Sequence, residues 1–291
     1  MSLRSYETPE DCVVALFDPL LDAAFAKDHF LPKEVNRKLL GVYGIDDLIR
    51  IHKDLLQLQE SLFAGADKGV RQYVATAGSP GSGKSTVLEA FMAQSQTHFV
   101  YADPDRATLL HMENTYKRDR ALGLRTPEEA YNYWRDASNF LANYFLAKAL
   151  QEGYAVTHGT TMTAPAMVIE RIFTTLKNVY GYSVHLLDIN CDNLVREQSE
   201  QQRRAHGVVQ CTCEDFYNKG KAFCQRFPSY LGADRIDFYY RDRIDHASCV
   251  ATREGTNLIA HDKVGFIAIQ KLHDDSAPGA FTLSLHVPIP T

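Results

Sequence analysis

The sequence predicts an α/β fold in which a mostly parallel sheet is flanked by helices, and three observations carry this. Four short apolar runs, 72–77, 98–102, 154–158 and 183–190, alternate with longer stretches of helical period. Each run gives way to polar residues at its C-terminal end, the edge of an open α/β sheet where ligands sit. Between the first run and the helical stretch that opens at Val87 lies a glycine-rich segment, Gly78, Ser79, Pro80, Gly81, Ser82, Gly83, Lys84, Ser85, Thr86.

The chain has 291 residues, 45% apolar and 23% charged, which allows a sizeable core in one large or two ordinary domains. No apolar run approaches the length of a membrane span. A net charge of −5 argues against a general nucleic-acid binder, which usually carries a basic stripe. Met1–Glu7 has no signal-peptide pattern, so a cytoplasmic location with free thiols is expected for the six cysteines. Cys211 and Cys213, with His206 and Cys224 nearby, match no zinc spacing and read as small buried or half-exposed residues.

Residues 1–71 read as a helical extension packed on a core of residues 72–291. Leu48, Ile51, Leu55, Leu58 and Leu62 recur at the helical period. Residues 65–69 read as the loop before the first core strand.

The segment from Gly78 to Thr86 fits G-x-x-x-x-G-K-[ST], the phosphate-binding P-loop, in its required strand–loop–helix setting. The fold expected is therefore that of a P-loop NTPase or kinase. Glycines 78, 81 and 83 let the backbone approach a ligand closely, so that successive N–H groups form a nest for phosphate oxygens. The positive end of the following helix lies behind that nest. Lys84 is placed to reach the β- and γ-phosphates of ATP, and the Ser85 hydroxyl to bind Mg²⁺, with Thr86 the weaker metal candidate.

After the second run come Asp103, Pro104 and Asp105, two carboxylates at a strand's C-terminal end. One reading makes them catalytic; another makes Asp105 the cap of the next helix. Thr126, Pro127 and Glu129 form a helix start with a capping box, and the helix should run to about Gln151 and stop at Gly153. Its aromatic residues, 131, 133, 134, 140, 144 and 145, read as core.

The third run ends in a polar, glycine-containing turn whose His158, Thr160 and Thr161 are candidates for contact with a substrate, and Thr163 is expected to cap the next helix. The fourth run contains Asp188, which a Walker B reading would place on the metal. From Asp192 to Ala205 a helix with almost no apolar stripe is expected. As part of a lid spanning about 192–226, it could carry Arg196, Arg203 and Arg204 over the phosphates. Residues 235–242 read as a strand, 249–253 and 257–260 as a hairpin, and 264–270 as a strand or short helix. The tail from Asp274 reads as loosely held, and His246, His261 and His273 show no constellation.

In this order and placement, the P-loop, Asp103-Pro-Asp105, His158-Gly-Thr160 and the Arg196…Arg203-Arg204 segment resemble the zeta toxin family of P-loop kinases over about residues 72–242. The resemblance implies an ATP-dependent kinase that phosphorylates a hydroxyl of a small molecule; in the family this is UDP-N-acetylglucosamine. It implies Asp105 as the base on the acceptor hydroxyl, with Asp103 as fallback. Arg196 and one of Arg203 or Arg204 would contact phosphates. A small antitoxin-like protein is an expected partner. Where the family has Glu-Gly-Thr, this chain has His158-Gly-Thr, which leaves the acceptor open. The rival expectation is a nucleotide-dependent ATPase or switch that uses Asp188 and acts through a protein partner.

Overall fold

The computed structural model describes residues 6–20, 39, 41–205 and 213–285. Its elements, in chain order, are α1 (Pro9–Leu16), α2 (Ile45–Phe63), β1 (Gln72–Gly78), α3 (Lys84–Gln94), β2 (Val100–Ala102), α4 (Arg118–Ala121), α5 (Pro127–Glu152), β3 (Val156–His158), α6 (Ala166–Asn178), β4 (Ser183–Cys191), α7 (Asn193–Ala205), α8 (Cys213–Tyr230), β5 (Arg235–Arg243), β6 (His246–Glu254), β7 (Asn257–Ala260) and α9 (Lys263–Ser276). The chain forms two compact units, one built from residues 1–71 and 96–158, the other from 72–95, 159–206 and 211–291. The expected α/β class, with mostly parallel strands flanked by helices, is the observed one.

In the first unit β2 and β3 pair in parallel, Val100 opposite Val156 and Ala102 opposite His158. The helices carry the core. Leu48, Ile51, Leu55 and Leu58 of α2, the stripe visible in the sequence, pack with Cys12, Val13 and Phe17 and with Trp134, Phe140 and Phe145 of α5. The long helix α5 begins and ends as its sequence dictates. Thr126 and Glu129 form the reciprocal capping box, Pro127 opens the first turn, and Gly153 closes the helix in the left-handed conformation. Its aromatic residues are core, five of the six buried and Tyr133 partly so. Asp54 is buried in α2, and its carboxylate accepts from the Asn114 backbone N–H and from the Thr115 hydroxyl at 2.8 and 2.6 Å.

In the second unit β4 lies between β1 and β5, parallel to both, with Ala77 opposite Asp188 and Ile189 opposite Tyr239. β5, β6 and β7 continue as an antiparallel meander. The β5–β6 hairpin is interrupted by register shifts, one of them between Tyr240 and Arg243. Residues 264–270, open between strand and helix in the sequence, lie within helix α9, which Asp262 caps through the Val264 N–H. The tail is held at least as far as Phe281, whose ring stacks on Phe227 at 4.3 Å and meets Phe238 and Phe266. Apolar aromatic area, absent from the rest of the Pro-rich tail, supplies that anchor. Among the described residues no helix is long and apolar enough to cross a membrane.

Thr163 does not cap α6. The helix starts after Pro165, which disfavours helical backbone at the residue before it, and Thr163 pairs with the Thr161 hydroxyl instead. The lid helix α7 is not polar all round in its packing: Val195, Arg196 and Glu200 are buried, so it docks partly through a charged face. Two of the three histidines without an evident constellation join hydrogen-bonded chains. His261 bonds Thr252, which bonds the Asp237 carboxylate that also holds His185. His273 is fully buried and its Nε2 lies 2.9 Å from the Asn190 side-chain oxygen.

Burial pushes the His273 imidazole from its ordinary 6.5 down to about 4. A folded value below the unfolded one means that the native state binds fewer protons, so stability is full above about pH 6.5 and is lost as pH falls toward 4. This histidine should account for about 2 kcal/mol of destabilisation between pH 7 and pH 5. Urea titrations at the two pH values measure it. The His273→Gln protein, which cannot take the charge, should lose less stability over that interval than the wild type.

Candidate functional site

The P-loop has the geometry its glycines require. Gly81 and Gly83 have φ of +83° and +91°, a region that residues with a Cβ rarely enter. A Cβ at Gly81 would lie 2.8 Å from the Arg196 carbonyl, and one at Gly78 would lie 2.7 Å from the Ile189 carbonyl. Gly83 is the cap of α3, and the loop's N–H groups lead into that helix's positive end. Lys84 Nζ donates to the Ser79 carbonyl at 2.9 Å, across the loop's own span. Ser85 is half-buried in the first turn and Thr86 is exposed. This cradle, too tight for any side chain at 78 or 81 and backed by a helix start, fits the phosphates of a nucleotide.

The turn after β3 is knit to the strand that feeds the loop. The Thr76 hydroxyl donates to the Thr160 carbonyl at 2.7 Å and accepts the Thr160 N–H at 3.0 Å, while the Gly78 N–H donates to the Thr161 carbonyl at 3.3 Å. Thr160 Oγ1 accepts the Met162 N–H, and the Thr161 hydroxyl pairs with Thr163. Met162 is the one non-glycine residue with positive φ among the described residues, held by the Tyr230 hydroxyl on its carbonyl. His158, at the end of β3, is half-buried, and desolvation pushes its imidazole down to about 4, so it is neutral at pH 7.

The two carboxylates after β2 divide their work. Asp103, not Asp105, is the cap: its Oδ1 accepts the N–H of Asp105 at 2.8 Å and of Arg106 at 2.5 Å, and Pro104 sits in the first turn. The reading of Asp105 as the cap placed it two positions late, because the proline belongs inside the turn and not before it. Asp105 projects beyond the cap and forms an ion pair with Arg135 of α5, both side chains partly exposed. The Arg135 guanidinium also faces the Tyr131 ring, 5.4 Å from its centre.

Asp188 is fully buried, and its Oδ2 accepts from Asn190 at 3.0 Å. Its Oδ1 has no hydrogen-bond partner among the described residues. Burial raises the carboxyl to about 7 despite the Asn190 N–H, and its charge is felt by Cys224 and Tyr230 of α8. Asn190 in turn meets His273.

The lid arginines are placed differently from one another. Arg196 is buried: its Nε donates to the Pro80 carbonyl at 3.0 Å, one Nη to Asn193 and the other to the Phe216 carbonyl, with the Phe216 ring 4.5 Å away. Arg203 and Arg204 both ion-pair with Glu200 one turn earlier, at 2.6 and 3.0 Å. Arg241 of β5 was not foreseen. Its Nη1 donates to the Gly81 carbonyl at 3.0 Å and to Ser199 of α7 at 3.0 Å. The signal was present, a charged residue at the C-terminal end of the fifth strand, where the other strands also carry their polar groups. His206, Cys211 and Cys213 lie outside the described residues as far as their side chains are concerned.

Comparison with known families matches residues 67–243 to the zeta toxin family. Comparison with curated proteins gave no match. Among solved structures, one described as the PezAT chromosomal toxin–antitoxin system of Streptococcus pneumoniae is 17% identical, with a TM-score of 0.53 over 79% of this chain and 96% of that one. Another, AvrRxo1-ORF1:-ORF2 with ATP, is 13% identical, with a TM-score of 0.60 over 88% and 81% of the two chains. The AvrRxo1-ORF1:-ORF2 complex in its native form is 14% identical, with a TM-score of 0.58 over 82% and 75%. At these identities the likeness is one of fold.

Proposed function

Because the chain belongs to the zeta toxin family, we propose that it is an ATP-dependent kinase that transfers the γ-phosphoryl group to a hydroxyl of a small molecule. The observation that carries this is the P-loop geometry: a glycine cradle closed to any side chain, capped onto α3, with Lys84 and Ser85 in its first turn. The AvrRxo1 complex described as holding ATP supports the choice of nucleotide.

The roles follow from chemistry. Phosphoryl transfer needs positioning and neutralisation of charge more than covalent help. The loop's N–H groups and Lys84 hold the phosphates. Ser85 would hold Mg²⁺, whose charge would offset that of the phosphate oxygens. Asp105 accepts the acceptor's proton, and Arg135 fixes the orientation of its carboxylate. Asp103 shapes the turn as its cap. Arg203 and Arg204 are the lid cations for the phosphates, exchanging Glu200 for them. Arg196 supports the loop from behind through the Pro80 carbonyl.

The acceptor is read as a compound of the sugar-nucleotide class. His158 and Thr160 occupy the turn that faces it in the family pattern. A neutral imidazole there can donate one hydrogen bond and accept another, which a carboxylate cannot do. Incubation with Mg-ATP and UDP-N-acetylglucosamine, followed by mass spectrometry, tests this: a phosphorylated sugar nucleotide supports the acceptor class, and an unmodified one removes it. An antitoxin-like protein partner belongs to the same reading, supported by the neighbour described as part of a toxin–antitoxin system. The alternative of an ATPase switch using Asp188 is disfavoured by that residue's full burial and its raised carboxyl.

Gly81→Ala is expected to raise the Kd for ATP at least about tenfold, because the new methyl meets the Arg196 carbonyl at 2.8 Å in a left-handed backbone. Isothermal titration with Mg-ATP measures it.

A further inference from the structure

The Gly81 carbonyl of the P-loop accepts from a second arginine that no phosphate-binding motif includes. Arg241 is 8% exposed. It donates to the Gly81 carbonyl and to the Ser199 hydroxyl through Nη1, and to the Ile244 carbonyl through Nε and Nη2. Among the described residues no carboxylate ion-pairs with it. The break in β5–β6 register between Tyr240 and Arg243 bends the strand end where Arg241 sits.

Two physical facts make this placement informative. A guanidinium is charged at every accessible pH, and burying it without an anionic partner is costly. Arg241 is also buried beside the positive end of a helix: a Cβ added at Gly83, the cap of α3, would lie 3.3 Å from Arg241 Cδ and 3.4 Å from Nη1. Two positive features set side by side repel unless an anion joins them. The P-loop is where such an anion binds. The hydrogen bond to Gly81 adds orientation. A trans peptide is planar with its N–H opposite its carbonyl, so a Gly81 carbonyl engaged by Arg241 is held in one orientation and its partial negative charge is offset by the guanidinium.

We propose that Arg241 is a positioning residue for the nucleotide's phosphates: its charge, buried behind the loop, complements the triphosphate, and its bond to Ser199 ties the lid helix α7 to the loop. This rests on the reading of the loop as a nucleotide site.

The test is the affinity of the full chain for ATP, ADP and AMP by isothermal titration, in the wild type, Arg241→Met and Arg241→Lys, with thermal midpoints recorded without ligand. Arg241→Met should weaken ATP at least about tenfold and ADP less, and leave AMP within about threefold, so that discrimination by phosphate number falls. Arg241→Lys keeps the charge but not the fork that bonds Gly81, Ser199 and Ile244 together, so it should recover part of the ATP affinity while remaining at least about threefold weaker than wild type. If the Met variant does not fold, the Lys variant alone decides. A folded variant with lower midpoint but unchanged ATP-to-AMP discrimination would show a purely structural arginine and overturn the proposal. A folded wild type that does not bind ATP would instead remove the nucleotide site itself, and this proposal with it.

Discussion

Replacing Lys84 with alanine is expected to reduce ATP-dependent transfer by about 10³-fold or more while leaving the fold intact. Lys84 opens α3, and its Nζ donates to a loop carbonyl, the Ser79 oxygen, at 2.9 Å. Alanine is a better helix former than lysine, and the side chain is half-buried at the loop rather than packed in a core, so little native stability depends on it. What is lost is the one flexible cation that the loop itself can place on the β- and γ-phosphates. The loss should therefore appear in kcat and in ATP affinity together, and circular dichroism and thermal midpoint should be unchanged within about a degree or two. A variant that kept a tenth or more of wild-type transfer would show that the loop holds the nucleotide by other means.

The second large effect is expected of Asp105→Asn, a loss of about 10²- to 10⁴-fold in kcat with ATP affinity nearly unchanged. The amide preserves shape but cannot take a proton. The division of labour between the two carboxylates sharpens this. Asp103 holds two backbone N–H groups as a helix cap, so its replacement by alanine should cost about 1 kcal/mol of stability and disturb the turn that carries Asp105. Asp105→Asn should cost little stability, since its ion pair with Arg135 is partly exposed. Transfer rates and urea midpoints for both variants separate the roles: a rate lost at Asp105 with stability kept, and stability lost at Asp103. The opposite pattern would make Asp103 the base.

Much of this was legible in the chain because local rules governed it. The P-loop, the capping box at Thr126 and Glu129, the stop at Gly153 and the α2 stripe are patterns whose causes lie within a few residues. What escaped depends on residues far apart in sequence. Arg241 meets Gly81 across 160 positions; its place near the end of a strand marks the ligand edge of the sheet but does not name the loop it bonds. Asp188, Asn190 and His273 form one buried chain from β4 to α9, and His273 alone reads as an ordinary histidine. The packed face of helix α7 was hidden because a buried arginine and glutamate do not register as an apolar stripe. The cap at Asp103 was missed for a local reason: a proline after an aspartate reads equally as a break or as the first turn of a helix.

The central claim, transfer of a phosphoryl group to a small-molecule acceptor, is tested most directly by ADP release from Mg-ATP. The assay is run with and without a panel of sugar nucleotides, nucleosides and cofactors, beside the Lys84→Ala protein. The account predicts release that one acceptor stimulates, a product heavier by one phosphoryl group, and neither in the Lys84→Ala control. Hydrolysis that no acceptor alters, but that a bound protein partner accelerates, would contradict it and make the molecule a nucleotide-driven switch.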